Sequence, residues 1–194
     1  MPNWCENTLE IYGEEDKMKE FYDFFGGIDK LQENFCFNNI LTLPQELDGT
    51  RSPSTIVSQE DYDRYTELEK KHDIKNIENL RKLIEDGTLT EEERELVWKE
   101  GITQEMSDKL VSEYGYDNWY DWQVHHWGTK WDIRGDIGTN DIDDESCSFI
   151  FQTAWSPPEP IVYKLQEMFP DLDISGRYFG EGNEFAGVFA NSFE

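Results

Sequence analysis

Positive charge is what this sequence has least of. Its 194 residues hold 17 Lys plus Arg against 43 Asp plus Glu, a formal net charge of −26 with the histidines neutral. A field of that sign repels phosphate backbones and anionic lipid heads over about one Debye length, so non-specific binding to duplex nucleic acid or to a membrane surface is disfavoured. Cysteine is scarce as well. Cys5, Cys36 and Cys147 are odd in number and far apart, which excludes a disulfide framework and a C-x-x-C metal clip. Nowhere do about 18 apolar residues follow one another, so no membrane span is expected, and residues 1–13 lack the basic start and apolar stretch of a signal peptide. The expectation is a soluble protein of a bacterial cytoplasm.

Recognisable catalytic signatures are missing too. There is no G-x-S-x-G, no phosphate-binding P-loop and no H-E-x-x-H, and Gly176, Gly180 and Gly182 are wrongly spaced for G-x-G-x-x-G. His125 and His126 are neighbours that point about 100° apart on a helix, and His72 is isolated, so no zinc site is expected. Asp141, Asp143, Asp144 and Glu145 resemble the start of a calcium loop. That loop has Ser146 where glycine is needed and Gln152 where the twelfth-position acid belongs, and a solvated turn is the ordinary explanation. With 43 carboxylates accidental pairs are guaranteed, so paired acids carry no specificity. The expectation is no enzyme, no metal and no cofactor; a deep pocket lined by perturbed carboxylates is the observation that would reverse it.

What is present in quantity is aromatic: 7 Trp, 9 Tyr and 12 Phe, which separates this chain from disordered acidic sequences despite a mean hydropathy of −0.78. Leu9 and Ile11 alternate on a strand ending at Gly13, and Met18, Phe21, Tyr22 and Phe25 then recur at helical spacing up to Gly26-Gly27. Residues 35–43 read as a strand or buried extended segment. Between 45 and 124 the language changes to short helices. Ser58, Asn76, Thr90, Thr103 and the Asp117-Asn118 pair mark their starts, with Thr90 and Glu93 forming a capping box, and Gly87, Gly101 and Gly115 punctuate them. Residues 147–155 return to strand, Ile161 to Phe169 form an apolar helical stripe, and 174–180 and 184–190 read as two strands joined by a turn. The order β, α, β, helical block, β, α, β, β predicts an α+β split βαβ sandwich. One domain would comprise residues 1–44 and 125–194, with 45–124 as an insertion.

Four of the tryptophans fall between 119 and 131. Trp119 and Trp122 lie on the last helix of the block. Trp127, Gly128, Thr129, Lys130, Trp131 and Asp132 then leave that helix for a strand. Two readings apply: a recognition surface in which rings and a rare cation meet a partner, or a roof over the core with Lys130 paired to Asp132 or stacked on a ring. Trp155, before Ser156-Pro157-Pro158, is open to the same pair of readings, the prolines either offering a polyproline-type ligand or turning the chain into a helix.

Taken together, Met1 to Asn7 running into a strand, Ile40 to Pro44, Trp127 to Asp132, Thr153 to Pro158 and Gly182 to Gly187 resemble the YubB-like family of phage- and plasmid-encoded proteins, whose C-terminal part is ferredoxin-like. The resemblance covers both ends and only loosely residues 45–120. It implies a ferredoxin-like fold and a mobile-element origin, without an iron–sulfur cluster, since three scattered cysteines are too few. It supplies no activity. Two functions are therefore expected: an accessory protein whose acidity engages a host protein with a basic surface, imitating nucleic acid in counter-defence or replication control, or a module for single strands using exposed tryptophans with Lys130 and Arg134.

Overall fold

The computed structural model describes residues 3–74, 76–133, 137–140, 142–180, 182 and 185–189, with the side chains of Ile77 and Asn140 set aside. It divides into two compact units, residues 1–43 with 123–194 and residues 44–122.

The first unit is built on a five-stranded antiparallel sheet. Its strands are β1 (Trp4–Tyr12), β2 (Gly138–Asn140), β3 (Ser146–Ala154), β4 (Asp173–Gly180) and β5 (Phe185–Phe189), in the order β2-β3-β1-β4-β5. Strands β3 and β4 are both antiparallel to β1 and flank it, so they run parallel to each other, and helix α9 (Glu159–Met168) crosses between them. Helix α1 (Glu15–Phe24) leads out of β1, and β2 pairs with β3. The chain order β1-α1-β2-β3-α9-β4 is the ferredoxin-like double split βαβ, with β5 added as a hairpin partner of β4.

Alternation along β1 assigns the faces. Cys5, Asn7, Leu9 and Ile11 are buried, while Trp4, Glu6 and Tyr12 are exposed. Cys147, Phe149 and Phe151 of β3 share that face, and the buried side of the two helices is Met18, Phe21 and Tyr22 of α1 and Ile161, Val162 and Leu165 of α9. Phe35 stacks on Phe149 at 3.9 Å between centroids, and Phe21 meets Phe25 and Phe169 edge-on at 5.1 and 5.2 Å. Asn7 is the buried polar exception, and its Nδ2 donates to the Thr153 hydroxyl at 2.9 Å and the Cys5 carbonyl at 3.0 Å. Gly176 lets β4 close on β1, because a Cβ there would stand 2.1 Å from the Thr8 carbonyl oxygen.

The segment expected to be a second strand is not one. Residues 28–40 form two short helices, α2 (Ile28–Asn34) and α3 (Phe37–Ile40). Asparagines take over the backbone there: Asn34 Nδ2 donates to the Phe25 carbonyl, Asn39 Nδ2 to the Asn34 carbonyl, and Asn38 Oδ1 accepts from the Leu43 amide. Such local bonds compete with a sheet ladder. The strand in that topological place is β2, three residues long and some hundred positions later in the chain.

The second unit consists of short helices: α4 (Gln59–His72), α5 (Ile77–Glu85), α6 (Glu91–Val97), α7 (Gln104–Tyr114) and the start of α8 (Trp119–His126). Each is opened by a side chain. Ser58 Oγ accepts from the Asp61 amide, Asn76 Oδ1 from Asn79, Thr103 Oγ1 from Met106 and Asn118 Oδ1 from Asp121. Thr90 and Glu93 make the reciprocal capping box. Tyr65, Leu68, Leu80, Leu89, Leu96 and Val97 form its core cluster, and a single parallel bridge joins Ile56 to Ile102.

Candidate functional site

The tryptophan-rich segment resolves into residues that hold the fold and residues that face outward. Trp127 is buried, its indole N–H donating to the Leu41 carbonyl at 2.8 Å and its ring meeting Phe37 edge-on at 6.0 Å. Thr129 is buried and donates its hydroxyl to the Ala154 carbonyl at 2.9 Å. Trp122 is buried as well. All three are thus inside the fold, and the area of the Trp122 and Trp127 rings goes into packing. The segment also does not enter a strand. It runs through turns and bends from Trp127 to Asp132, and β2 begins only at Gly138.

Asp132, half-buried, is committed to backbone amides. Its two carboxylate oxygens accept the Phe37 amide at 2.7 Å and the Asn38 amide at 3.0 Å, capping α3 from far along the chain. Gly128 has φ +77°, and a Cβ there would meet Pro160 Cδ at 2.7 Å and the Pro157 carbonyl at 2.9 Å, so only glycine fits. Ser156 Oγ donates to the Gly128 carbonyl at 2.6 Å and the Thr153 hydroxyl to the Ser156 carbonyl at 2.7 Å, binding the turn at 128 to the turn at 156.

Lys130, Trp131 and Trp155 remain in view of solvent. The Lys130 ammonium lies 4.6 Å from the Trp131 ring centroid and 5.0 Å from that of Trp155, a cation held between two indoles. Trp155 is 40% exposed and has φ +72°, a left-handed conformation that a bulky residue adopts only when its surroundings impose it. Its amide donates to the Asn3 carbonyl at 2.9 Å, which holds it there. Trp119, in the other unit, is half-buried, donates its amide to the Thr50 hydroxyl oxygen at 3.0 Å, and sits edge-on to Tyr120 at 5.7 Å. Arg134, read with Lys130 as a cationic pair, lies outside the described residues, as do Asp141 and, of the turn expected at Glu181-Gly182-Asn183, Glu181 and Asn183.

Beside Trp155 is an open groove of about 480 Å³ that sequence reading missed. Its walls are Trp155, Pro157, Pro160, Tyr178 and Phe185, with Glu159 among them. The diproline was the available signal, read as a chain-turning device, but Tyr178 and Phe185 come from β4 and β5 and nothing local connects them to it.

The other titratable groups are explained by their neighbours. Asp143 Oδ1 accepts from the Glu145 and Ser146 amides, which hold its carboxyl below the usual range and make it a turn acceptor. The rings of His125 and His126 touch edge-to-face at 4.9 Å, closer than the helical spacing suggests; burial, then His125, lowers the His126 pKa. Among the described residues no three His, Cys, Asp or Glu are grouped to hold a metal ion. In the helical unit a cavity of about 140 Å³ is lined by Tyr62, Tyr65, Glu69, Glu100 and Asp117. Burial, then Glu100, raises the Glu69 pKa. Asp117 is pushed up by burial but held down on balance by the hydroxyls of Ser54 and Ser107 and the Asn118 amide. Its volume admits a few waters, below the ~300–1,000 Å³ of ordinary ligand sites.

These features can be set beside known proteins. Residues 130–192 match the family model of a ferredoxin-like domain in Api92-like protein. Lys130, Trp131, Asp132 and Trp155 fall inside that match, together with the groove from Ser156 to Phe185; Trp127, Gly128 and Thr129 precede it. The domain is thus ferredoxin-like and α+β, as the strand order also has it. The crystal structure of a protein api92 from Yersinia pseudotuberculosis is similar, with 15% identity and a TM-score of 0.44 over 97% of this chain and 93% of that one. No curated protein matches. No described helix is long and apolar enough to cross a membrane.

Proposed function

We propose that this is a non-enzymatic accessory protein of a phage or plasmid that binds a host protein through a basic surface on that partner. The observation that carries the reading is what the few cations do. Lys17, Lys19, Lys30, Lys71, Lys99 and Lys164 each lie within ion-pair distance of a carboxylate of this same chain. Lys130 is held against two indoles. Such surface pairs contribute little stability, but each sets one of the 17 basic residues against one of the 43 acidic ones, so the net charge of −26 stays uncompensated. A surface of this kind attracts a basic cleft, speeds encounter and makes binding salt-sensitive. It also imitates the phosphate array that such a cleft normally holds, which suits counter-defence or replication control in the YubB-like setting that the sequence resembles. A single-strand-binding role is less favoured, because its cation on the tryptophan surface is already engaged by Trp131 and Trp155.

The test is retention of host proteins from a bacterial lysate on immobilised protein at low and raised salt, beside a gel shift with single-stranded DNA at low salt. A basic protein held at low salt and released at high salt, with no gel shift, is the expected result. No partner, or one indifferent to salt, overturns the proposal. A gel shift moves the case to the single-strand reading.

A further inference from the structure

The groove beside Trp155 combines two features that a purely structural crevice does not need together. Its walls are aromatic: Trp155, and the rings of Tyr178 and Phe185 at 6.0 Å between centroids. Its charged member is a carboxylate, while the Ser156 hydroxyl beside it is committed to the Gly128 carbonyl. Glu159, partly exposed on the first turn of α9, accepts the Tyr178 hydroxyl at Oε1 at 3.2 Å. Burial first, and then that bond, raises the Tyr178 pKa, so the phenol stays protonated and keeps the carboxylate turned toward the rings.

Aromatic faces carry negative potential, and a carboxylate among them specifies a cation. Two considerations select the type. A guanidinium is planar, weakly hydrated and stacks on rings, whereas an ammonium is compact and holds its water tightly. Carboxylates also accept guanidinium through paired hydrogen bonds, and Glu159 has its Oε2 to offer beside the oxygen that Tyr178 occupies. The Trp155 ring already carries the Lys130 ammonium at 5.0 Å, so the rings left for an incoming cation are those of Tyr178 and Phe185, with Trp155 at the edge of the groove. Gly128 packs too closely on Pro157 and Pro160 for a side chain and is tied to Ser156 by a hydrogen bond, which fixes one wall of the groove.

We propose that this groove seats an arginine side chain of the basic partner, its guanidinium set against the Tyr178 and Phe185 rings, hydrogen-bonded to Glu159 and bordered by Trp155. The inference rests on the reading of the partner as a basic protein and names the side chain that this site takes from it.

The experiment titrates the whole ¹⁵N-labelled protein with a blocked Gly-Gly-Arg-Gly-Gly peptide, with its lysine counterpart, and with its citrulline counterpart, which keeps the shape and loses the charge. The arginine peptide is expected to shift the Trp155 indole and Gly128 amide signals saturably, the lysine peptide more weakly, and the citrulline peptide about tenfold more weakly, as loss of a charge-assisted bond requires. Glu159→Gln is expected to weaken the arginine peptide by a similar factor with the rest of the spectrum unchanged, and Phe185→Ala to weaken all three. Equal binding of the arginine and citrulline peptides, silence at Trp155 and Gly128, or full affinity in Glu159→Gln overturns the proposal. The two readings separate in the lysate assay. If Glu159→Gln retains a salt-sensitive basic partner as well as the parent protein does, the groove is wrong and the function stands. If the parent retains none while the arginine peptide binds, the function is wrong and the groove stands.

Discussion

In the ferredoxin-like unit Phe21, Phe25, Phe35, Phe37 and Phe149 are all at most 2% exposed, whereas Tyr65, Leu68, Leu80, Leu89, Leu96 and Val97 of the helical unit each keep between 3 and 8%. Helix starts show the opposite trend. None of α1, α2, α3 and α9 has a cap from its own N-cap side chain, while α4, α5, α6, α7 and α8 all begin at a Ser, Asn or Thr that accepts an early amide. The first unit is therefore held by rings brought together from distant parts of the chain. The second leans on hydrogen bonds spanning three residues, with a thinner core. A chain can support an acidic, weakly apolar block in this way, because capping needs polar side chains and costs no apolar composition.

Three substitutions test that contrast. Phe149→Ala removes the ring stacked on Phe35 and is expected to cost about 3–5 kcal/mol, the largest effect. Leu96→Ala in the helical core should fall near the low end of the ~2–5 kcal/mol range for such truncations. Urea unfolding followed by circular dichroism reads both, and an equal loss at the two sites breaks the comparison. Asp132→Ala comes next. It leaves the Phe37 and Asn38 amides without their acceptor and should cost about 2 kcal/mol, with faster amide hydrogen exchange at exactly those two positions in α3; unchanged exchange there would mean that the remote cap is dispensable.

The smallest effect belongs to the capping box, where Thr90→Ala should cost about 1 kcal/mol. Its partner carries a pH signature. The Lys71 ammonium first, then the Thr90 amide and His72, hold the Glu93 carboxyl down to about 2. The folded value lies below the unfolded one, near 4.5. The stabilisation is therefore complete above the unfolded value and drains away as pH falls toward 2. Glu93→Gln should flatten that decline in acid unfolding; an unaltered decline would place the acid sensitivity elsewhere.

The same contrast explains what was legible. Ser58, Asn76, Thr90, Thr103 and Asn118 announce their helices because a cap and the amides it serves are neighbours in the chain. The alternation of Leu9 with Ile11 and the stripe from Ile161 to Leu165 were readable for the same reason: a period of two or of 3.6 is written locally. The segment from Phe35 to Leu43 misled because its apolar content suits a strand, while its helical turn is fixed by Asp132, almost a hundred residues later. Of the site, the tryptophan cluster and Lys130 were visible as composition. Which rings are buried and which are open was not, nor was the groove that β4 and β5 complete.

By itself, then, the amino-acid sequence determined the charge of this molecule, its α+β class and the starts of its capped helices, all of them properties of single residues or near neighbours. Only the tertiary structure decided that Gly138–Asn140 and not residues 35–43 is the second strand of the ferredoxin-like sheet, that Asp132 is a cap, and that Trp155 faces a groove with Glu159. Three residues of strand carry no period to read, and their place follows from the hydrogen bonds that β3 offers. An exposed ring and a buried one have the same composition, and they differ only in what the rest of the chain lays against them.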